Sequence, residues 1–133
     1  MAIRGFDTDM RHLLLAALVS AGACIGAASA NAQDAAAGAI VFKQQCAGCH
    51  SPDAGKIIVG PSLFGIVGRP AGQMEGFKYS PANKNSGKTW DEATLDPYIT
   101  NPQAVVPKTI MPYAGLKDAS KRADLIAYLE TLK

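Results

Sequence analysis

The chain has 133 residues, of which 48% are apolar and 18% are charged, and its formal net charge is +2. This length and composition predict one small soluble domain. The near balance of charges argues against a nucleic-acid-binding protein, which typically carries a strong excess of lysine and arginine.

The first segment differs in composition from the rest. Arg4 and Arg11 precede an apolar run at residues 13–28, and small residues follow as far as Ala32. These features are typical of a secretory signal peptide. We therefore predict a signal peptide at residues 1–32, cut after Ala32 or after Ala30, and a mature domain at residues 33–133. The alternative is an uncleaved anchor, but the apolar run is shorter than the about 20 residues that a spanning helix needs.

A first helix is predicted after Asp34, a typical N-cap residue, and extends toward Gln45. Gly38 lies inside it, where glycine costs about 1 kcal/mol relative to alanine. A glycine at this place suggests close contact with another helix.

Cys46, Cys49 and His50 form a C-x-x-C-H motif, the attachment signature for a c-type haem. Two thiols on one turn can reach both vinyl groups of a porphyrin, and the adjacent histidine lies under the iron as a ligand. A thioredoxin-like redox pair and half of a zinc site are the alternatives. Beyond the predicted leader the chain has no other Cys or His, which is too few for four zinc ligands, and no βαβ pattern supports a thioredoxin-like site. We predict one covalent haem c.

Glycine and proline recur from Gly60-Pro61 to Gly76 and exclude long regular elements there. So long an irregular stretch is unusual in a compact domain, and we interpret it as chain wrapped around a cofactor. Ser80 followed by Pro81 predicts the start of a short helix.

The next helix is predicted from Thr89 and Glu92, which have the spacing of a capping box with Thr89 as N-cap. It should run toward Thr100, with Pro97 kinking or shortening it. The following Asn-Pro pair should end it.

Asp118 predicts the cap of a last helix that extends to Leu132. Its charged residues, Arg122 among them, lie mostly away from its apolar face. That face comprises Leu125, Tyr128, Leu129 and Leu132. No segment alternates in the manner of a strand, so the sequence predicts an all-α domain.

The group opposite His50 is not fixed by the motif. Met74, Met111, a lysine or no side chain at all are the possibilities. Met111 lies between Pro107 and Pro112, in a stiff loop that can hold a thioether at a fixed distance from an iron. Met74 lies among glycines, where nothing fixes it, and core filling is the ordinary role of a lone methionine. We favour Met111.

Six stretches of the chain resemble the class I cytochromes c shared by mitochondria and the periplasm of alphaproteobacteria. They are residues 42–50, 60–63, 65–72, 76–90, 106–111 and 122–129. The resemblance implies the class I fold, with three main helices, short helices and long loops wrapped around one covalent haem. It also implies Met111 as axial ligand to the iron, and a crossing of the first and last helices at Gly38 and Phe42.

The resemblance also assigns residues around the haem. Pro61 resembles the proline whose carbonyl accepts the His50 ring N–H. Three residues resemble those that hold the inner propionate: Arg69, Tyr79 and Trp90. Three others resemble the polar groups on the methionine side: Asn83, Tyr98 and Thr109. Without the resemblance, Trp90 and Tyr98 would be interpreted as ordinary core aromatics.

Several positions depart from the family pattern. Lys108 stands where glycine is usual, which would force the backbone out of its usual geometry, and Pro97 interrupts a helix that is usually continuous. Gln45, Gln103 and Ala104 stand where mitochondrial proteins often have lysine, and Ile110 also replaces a lysine. None of these changes removes an iron ligand.

The favoured function is a non-enzymatic, monomeric, periplasmic one-electron carrier without stable membrane insertion. Its partners would be a cytochrome bc complex and an oxidase or photosynthetic reaction centre. An alternative is a dedicated electron acceptor of one periplasmic dehydrogenase. An open-iron haem enzyme or sensor is a third, but no second histidine is left to serve as a distal acid–base group.

Partner proteins would dock at a ring of lysines beside the haem edge, and this ring has fewer lysines than is usual in the family. The candidates are Lys43, Lys56, Lys108, Lys117 and Lys121. Ile57, Ile58 and Val59 either add apolar surface near that edge or pack inward, and the sequence does not decide between the two.

Overall fold

The computed structural model describes residues 33–133, so the predicted leader at residues 1–32 lies outside the described part. In this described part five helices follow one another: α1 (Ala35–Gln45), α2 (Pro81–Lys84), α3 (Glu92–Thr100), α4 (Pro102–Val105) and α5 (Ala119–Thr131). Among the described residues there is no strand, only two isolated bridges, His50 to Ile57 and Pro70 to Thr89. The predicted all-α class is confirmed, although the short helix α4 was not expected.

The helices α1, α2, α3 and α5 begin where a short polar side chain accepts from their first free N–H groups. Asp34 accepts from the N–H of Ala36 at 2.8 Å and from that of Ala37 at 3.2 Å. Ser80 caps α2 and Asp118 caps α5 in the same manner, as predicted.

The predicted cap of α3 is wrong. Asp91, not Thr89, is the N-cap residue, and its carboxylate accepts from the N–H of Thr94 at 2.8 Å. Glu92 is therefore the first residue of the helix and cannot complete a capping box. Thr89 instead pairs with Pro70 in an isolated bridge, so a contact with a distant segment holds it outside the helix.

Pro97 does not end α3, which continues to Thr100. Proline removes one N–H donor from a helix interior, but the next turn is intact, because the N–H of Asn101 donates to the carbonyl of Pro97 at 3.0 Å. The expected shortening at this residue is absent.

The first and last helices cross at Gly38, as its place in α1 suggested. A Cβ atom there would collide with the carbonyl oxygen of Asp124 and lie 2.8 Å from Cβ of Tyr128. Beside this contact, the rings of Phe42 and Tyr128 pack with centroids 5.3 Å apart. The N–H of Asp34 donates to a carboxylate oxygen of Asp124 at 2.9 Å and fixes the start of α1 to α5.

Arg122 lies in the buried part of α5, contrary to its predicted place away from the apolar face; it is 9% exposed. Its Nε donates to Asp96 on α3 at 2.7 Å, and its Nη1 donates to the carbonyls of Leu116 and Lys117. A buried guanidinium needs such partners, since an unpaired buried charge is costly. Arg122 therefore joins α3, α5 and the loop before α5.

Within residues 33–133, no helix has the length and hydropathy to span a membrane. The long segments at residues 46–80 and 106–118 are largely irregular and lie around a cleft. Leu125 and Leu129 of α5 form part of its floor.

Replacing Gly38 by alanine tests the helix crossing. Helix propensity alone would stabilise Gly38→Ala by about 1 kcal/mol. Because the added methyl meets backbone atoms of α5, we expect a loss of about 1–3 kcal/mol instead, as for other overpacked sites. Guanidinium unfolding of the haem-loaded protein, followed by far-UV circular dichroism, measures the difference.

Ala36→Gly is the matched control, since Ala36 is exposed on the same helix. It should lose only about 1 kcal/mol, from propensity. A Gly38→Ala protein as stable as the parent or more stable would show that α1 and α5 do not approach as described.

Candidate functional site

One cleft of ≈ 420 Å³ brings together every residue that the sequence assigned to the site. Those residues are Cys46, Cys49, His50, Pro61, Arg69, Tyr79, Asn83, Trp90, Tyr98, Thr109 and Met111. The walls between them are apolar and include Ile66, Leu95 and Ile99. This size and lining are those of a small-molecule or cofactor site.

The C-x-x-C-H turn directly follows α1. The N–H of Cys46 donates to the carbonyl of Phe42 at 2.8 Å, and the N–H groups of Cys49 and His50 return to the carbonyl of Cys46 at 3.0 and 2.9 Å. This tight turn places both sulfurs and the imidazole at the cleft. Cys46 and Cys49 are not joined to each other. Burial, and to a lesser degree the neighbouring Cys49, raise the pKa of the Cys46 thiol to about 11, so it stays protonated at neutral pH.

The imidazole of His50 is fixed by contacts on two sides. Its Nδ1 lies 2.8 Å from the carbonyl oxygen of Pro61. Because a carbonyl can only accept, Nδ1 must carry the proton, which leaves the Nε2 lone pair available for a metal. Gly60 lies against the ring, and a Cβ atom on it would collide with Cε1 and lie 2.7 Å from Nδ1. The role of Gly60 was missed from sequence, although its place before Pro61 was a signal.

Met111 lines the cleft, whereas Met74 and the lysines of residues 33–133 do not. The hydroxyl of Tyr98 lies 3.9 Å from the Met111 sulfur. Burial raises the pKa of Tyr98, and a hydrogen bond with the Thr109 side chain partly offsets this effect. Tyr98 is therefore a neutral donor at neutral pH. Its ring also packs on that of Trp90, with centroids 4.5 Å apart.

Lys108 precedes these groups in a conformation unusual for its residue type. Its φ is 68°, the left-handed region that glycine adopts readily and that costs a residue with a Cβ about 1–2 kcal/mol. Lys108 therefore stands in a backbone conformation suited to glycine. Thr109, which follows, is buried.

Within the described residues, one polar group at the cleft lacks a hydrogen-bond partner and another lacks a carboxylate partner. The Oδ1 atom of Asn83 is buried and accepts no hydrogen bond within the described part of the chain. The Arg69 guanidinium donates to the carbonyls of Ser62 and Phe64 at 2.9 and 3.2 Å. No carboxylate of residues 33–133 forms an ion pair with it. Burial lowers the pKa of Arg69, and the nearby Tyr79 partly restores it.

These groups fit a haem. Two thiols on one turn suit covalent attachment to the vinyl groups of a porphyrin, and an imidazole nitrogen and a methionine sulfur are the iron ligands of cytochromes c. The apolar walls suit a porphyrin face. Arg69 suits an anionic propionate, and Asn83 has an acceptor free for a polar group.

Comparisons with known proteins agree with this site. A family model described as cytochrome c matches residues 35–133. The cytochrome c2 of Blastochloris viridis is 51% identical over 122 residues, covering 91% of this chain and 93% of that protein. The cytochrome c2 of Rhodomicrobium vannielii is 51% identical over 117 residues, covering 86% and 92%. Among solved structures, cytochrome cH from Methylobacterium extorquens superposes with a TM-score of 0.70 at 44% identity, covering 74% of this chain and 98% of that one.

The match extends through the whole described domain and includes the C-x-x-C-H turn, so the resemblance noted in the sequence is confirmed. The chain belongs to the cytochrome c family of electron-transport proteins, has the class I fold, and carries one haem c bound covalently at Cys46 and Cys49.

Proposed function

We propose that the protein is an exported, soluble one-electron carrier whose haem iron is ligated by His50 and Met111. The observation that supports this most is that His50, whose imidazole is oriented by the Pro61 carbonyl, and Met111 line the same cleft. When bound there, the haem supplies exchange of one electron between Fe(II) and Fe(III).

The surrounding residues would each serve that role by holding the ligands and the charges in place. The Pro61 carbonyl keeps the Nδ1 proton of His50 and so presents Nε2 to the metal. Arg69, with Tyr79 and Trp90 beside it, would hold the inner propionate. On the Met111 side of the haem, polar side chains would form hydrogen bonds with groups near the methionine; these are Tyr98, Thr109 and Asn83. Two protein ligands leave no open coordination position for a substrate, so we propose a carrier and not an enzyme.

We further propose that partners dock at an apolar rim of the cleft, formed by Ile57, Ile58, Val59 and Ile110. Val59 and Ile110 line the cleft and are nevertheless 67% and 68% exposed. Ile57 and Ile58 are also exposed, so the inward packing considered from sequence is excluded.

The lysines named from the sequence as docking candidates are engaged only in part. Lys56 pairs with Asp53 at 3.4 Å, and Lys117 donates to the carbonyl of Thr100 at 2.6 Å. Lys43, Lys108 and Lys121 are exposed. With a net charge of only +2, long-range steering should be modest. Suitable partners are membrane redox complexes, such as a cytochrome bc complex and an oxidase or reaction centre, that present apolar docking faces.

We propose that residues 1–32 direct the chain to the periplasm and are removed there. Haem would then be added to Cys46 and Cys49 in a compartment where free thiols otherwise form disulfides.

The ligand assignment predicts different outcomes for two methionines. Met111→Ala should abolish the weak red-edge absorption band that marks an iron(III)–methionine bond, because no other methionine of residues 33–133 lines the cleft. Met74→Ala is the control and should leave the band unchanged. If the band survived in the Met111 variant and vanished in the Met74 variant, the assignment would be reversed.

Export and haem attachment predict a defined mass. After acid–acetone treatment, the protein isolated from the producing cell should have the mass of a chain beginning near Gln33 plus one haem. A mass that includes residues 1–32 would show that the leader is kept. Loss of the haem in acid–acetone would show that Cys46 and Cys49 do not hold it covalently.

The apolar rim predicts weak salt dependence of electron transfer. Between about 10 and 150 mM salt, where the Debye length falls from about 30 to 8 Å, the association rate with a membrane acceptor should fall less than about tenfold. Stopped-flow kinetics measures it. A fall of about a hundredfold would mean that lysines, and not the rim, control docking.

A matched pair of variants separates the rim from general surface hydrophobicity. Val59→Ser should slow association about fivefold, since Val59 lines the cleft and an apolar contact in a desolvated interface is lost. Ile40→Ser is the control, because Ile40 is 60% exposed on α1 and does not line the cleft. Equal effects of the two substitutions would contradict the assignment of the rim.

A further inference from the structure

The backbone before Met111 is held by one side chain. Gln103, on α4, accepts from the N–H of Lys108 at 3.1 Å through Oε1. Its Nε2 donates to the carbonyl of Thr109 at 2.8 Å. A single amide therefore brackets the peptide unit between Lys108 and Thr109.

The irregular segment at residues 106–118, here called the methionine loop, is anchored differently at its two ends. After Met111, the backbone of Gly115 lies so close to Thr100 that a Cβ atom would collide with its carbonyl oxygen. The N–H of Leu116 donates to the carbonyl of Ile99 at 2.9 Å, and Arg122 holds the next carbonyls. Before Met111, the N–H of Thr109 donates to Val106 at 3.0 Å. The other two hydrogen bonds to the backbone of Lys108 and Thr109 are those of Gln103.

The backbone that Gln103 bonds is strained at Lys108. Because Lys108 has a positive φ, rotation of its backbone toward the commonly allowed regions would lower its conformational energy. Such a rotation would move Thr109, whose hydroxyl accepts from the N–H of Met111 at 3.4 Å. Tyr98 contacts the Met111 sulfur. Strain at Lys108 is thus coupled to the position of the thioether.

We propose that Gln103 is a positioning residue for Met111, and that it keeps the loop closed against the strain at Lys108. The inference rests on the proposed ligation by Met111. The amide is suited to this task, because only a group with both an acceptor and a donor can bond the N–H of one residue and the carbonyl of the next. A lysine at residue 103 could donate but not accept. The two departures from the family pattern, Gln103 and Lys108, therefore form a complementary pair.

Imidazole tests the proposal as an external ligand that competes with Met111 for the ferric iron. It is titrated into the haem-loaded protein at pH 7 while the red-edge band and the main haem absorption band are followed. Gln103→Leu keeps the approximate volume and removes both hydrogen bonds. It should bind imidazole about tenfold more tightly and lose the red-edge band at correspondingly lower imidazole concentration. Gln103→Glu keeps the acceptor and should show a smaller increase, of about threefold.

Two further variants connect the effect to Lys108. Gln44→Leu, at an exposed glutamine of α1, is the control and should bind imidazole as the parent does. Lys108→Gly added to Gln103→Leu should return the affinity to within about threefold of the parent, because glycine adopts the left-handed region without cost. A residue with a purely global effect on stability would not be rescued in this way.

Unchanged imidazole affinity in Gln103→Leu, or an equal change in Gln44→Leu, would overturn the proposal. So would a Gln103→Leu effect that Lys108→Gly does not reduce. Failure of the underlying ligand assignment is distinguishable, because Met111→Ala would then keep the red-edge band whatever residue stands at 103.

Discussion

The close crossing of α1 and α5 is the contact on which the rest of the domain depends. With no side chain at Gly38, α1 meets the backbone of α5 directly, and Phe42 packs on Tyr128 next to that point. The crossing positions both sides of the cleft at once. The end of α1 carries Cys46, and α5 contributes the apolar floor with Leu125 and Leu129. A small chain thereby fixes the attachment site relative to the wall that faces it.

The cleft contains groups whose partners the protein does not supply from within its described part. Asn83 has a buried oxygen without a hydrogen bond, and Arg69 has a half-buried charge without a carboxylate. Such groups are costly when a site is dry and empty of ligand. The stability of the domain is thus linked to the cofactor, because haem propionates and polar groups at the haem edge can supply the missing partners of Asn83 and Arg69. A domain of this size buries little apolar surface by itself, and a covalent haem at Cys46 and Cys49 adds to its centre.

The two sides of the cleft achieve rigidity by different means. His50 is held by a proline carbonyl and a glycine backbone, neither of which has rotamers to lose. Met111 lies in a loop anchored after it by the buried Arg122, which pairs with the half-exposed Asp96, and before it by the amide of the exposed Gln103. The methionine side is therefore the more easily opened of the two, since exposed hydrogen bonds contribute less than buried backbone packing.

The sequence by itself determined the features that depend on local spacing. The C-x-x-C-H motif, the caps at Asp34, Ser80 and Asp118, and the glycine inside α1 are all recognisable because their chemistry acts within one or two turns of chain. Resemblance to a family supplied the rest of the site list, and the structure brings those residues to one cleft. Periodicity alone would have left Trp90 and Tyr98 as core aromatics.

Only the tertiary structure decided what depends on distant partners. Arg122 is buried because Asp96 and two carbonyls of another segment surround it. Asp91 replaces Thr89 as cap because Pro70 pairs with Thr89. Ile57, Ile58 and Val59 are exposed because nothing in the described fold covers them. Gln103 accepts a hydrogen bond from Lys108 because α4 brings the two residues close together. In each case the deciding atoms belong to another part of the chain, and no local pattern of residues records where that part will lie.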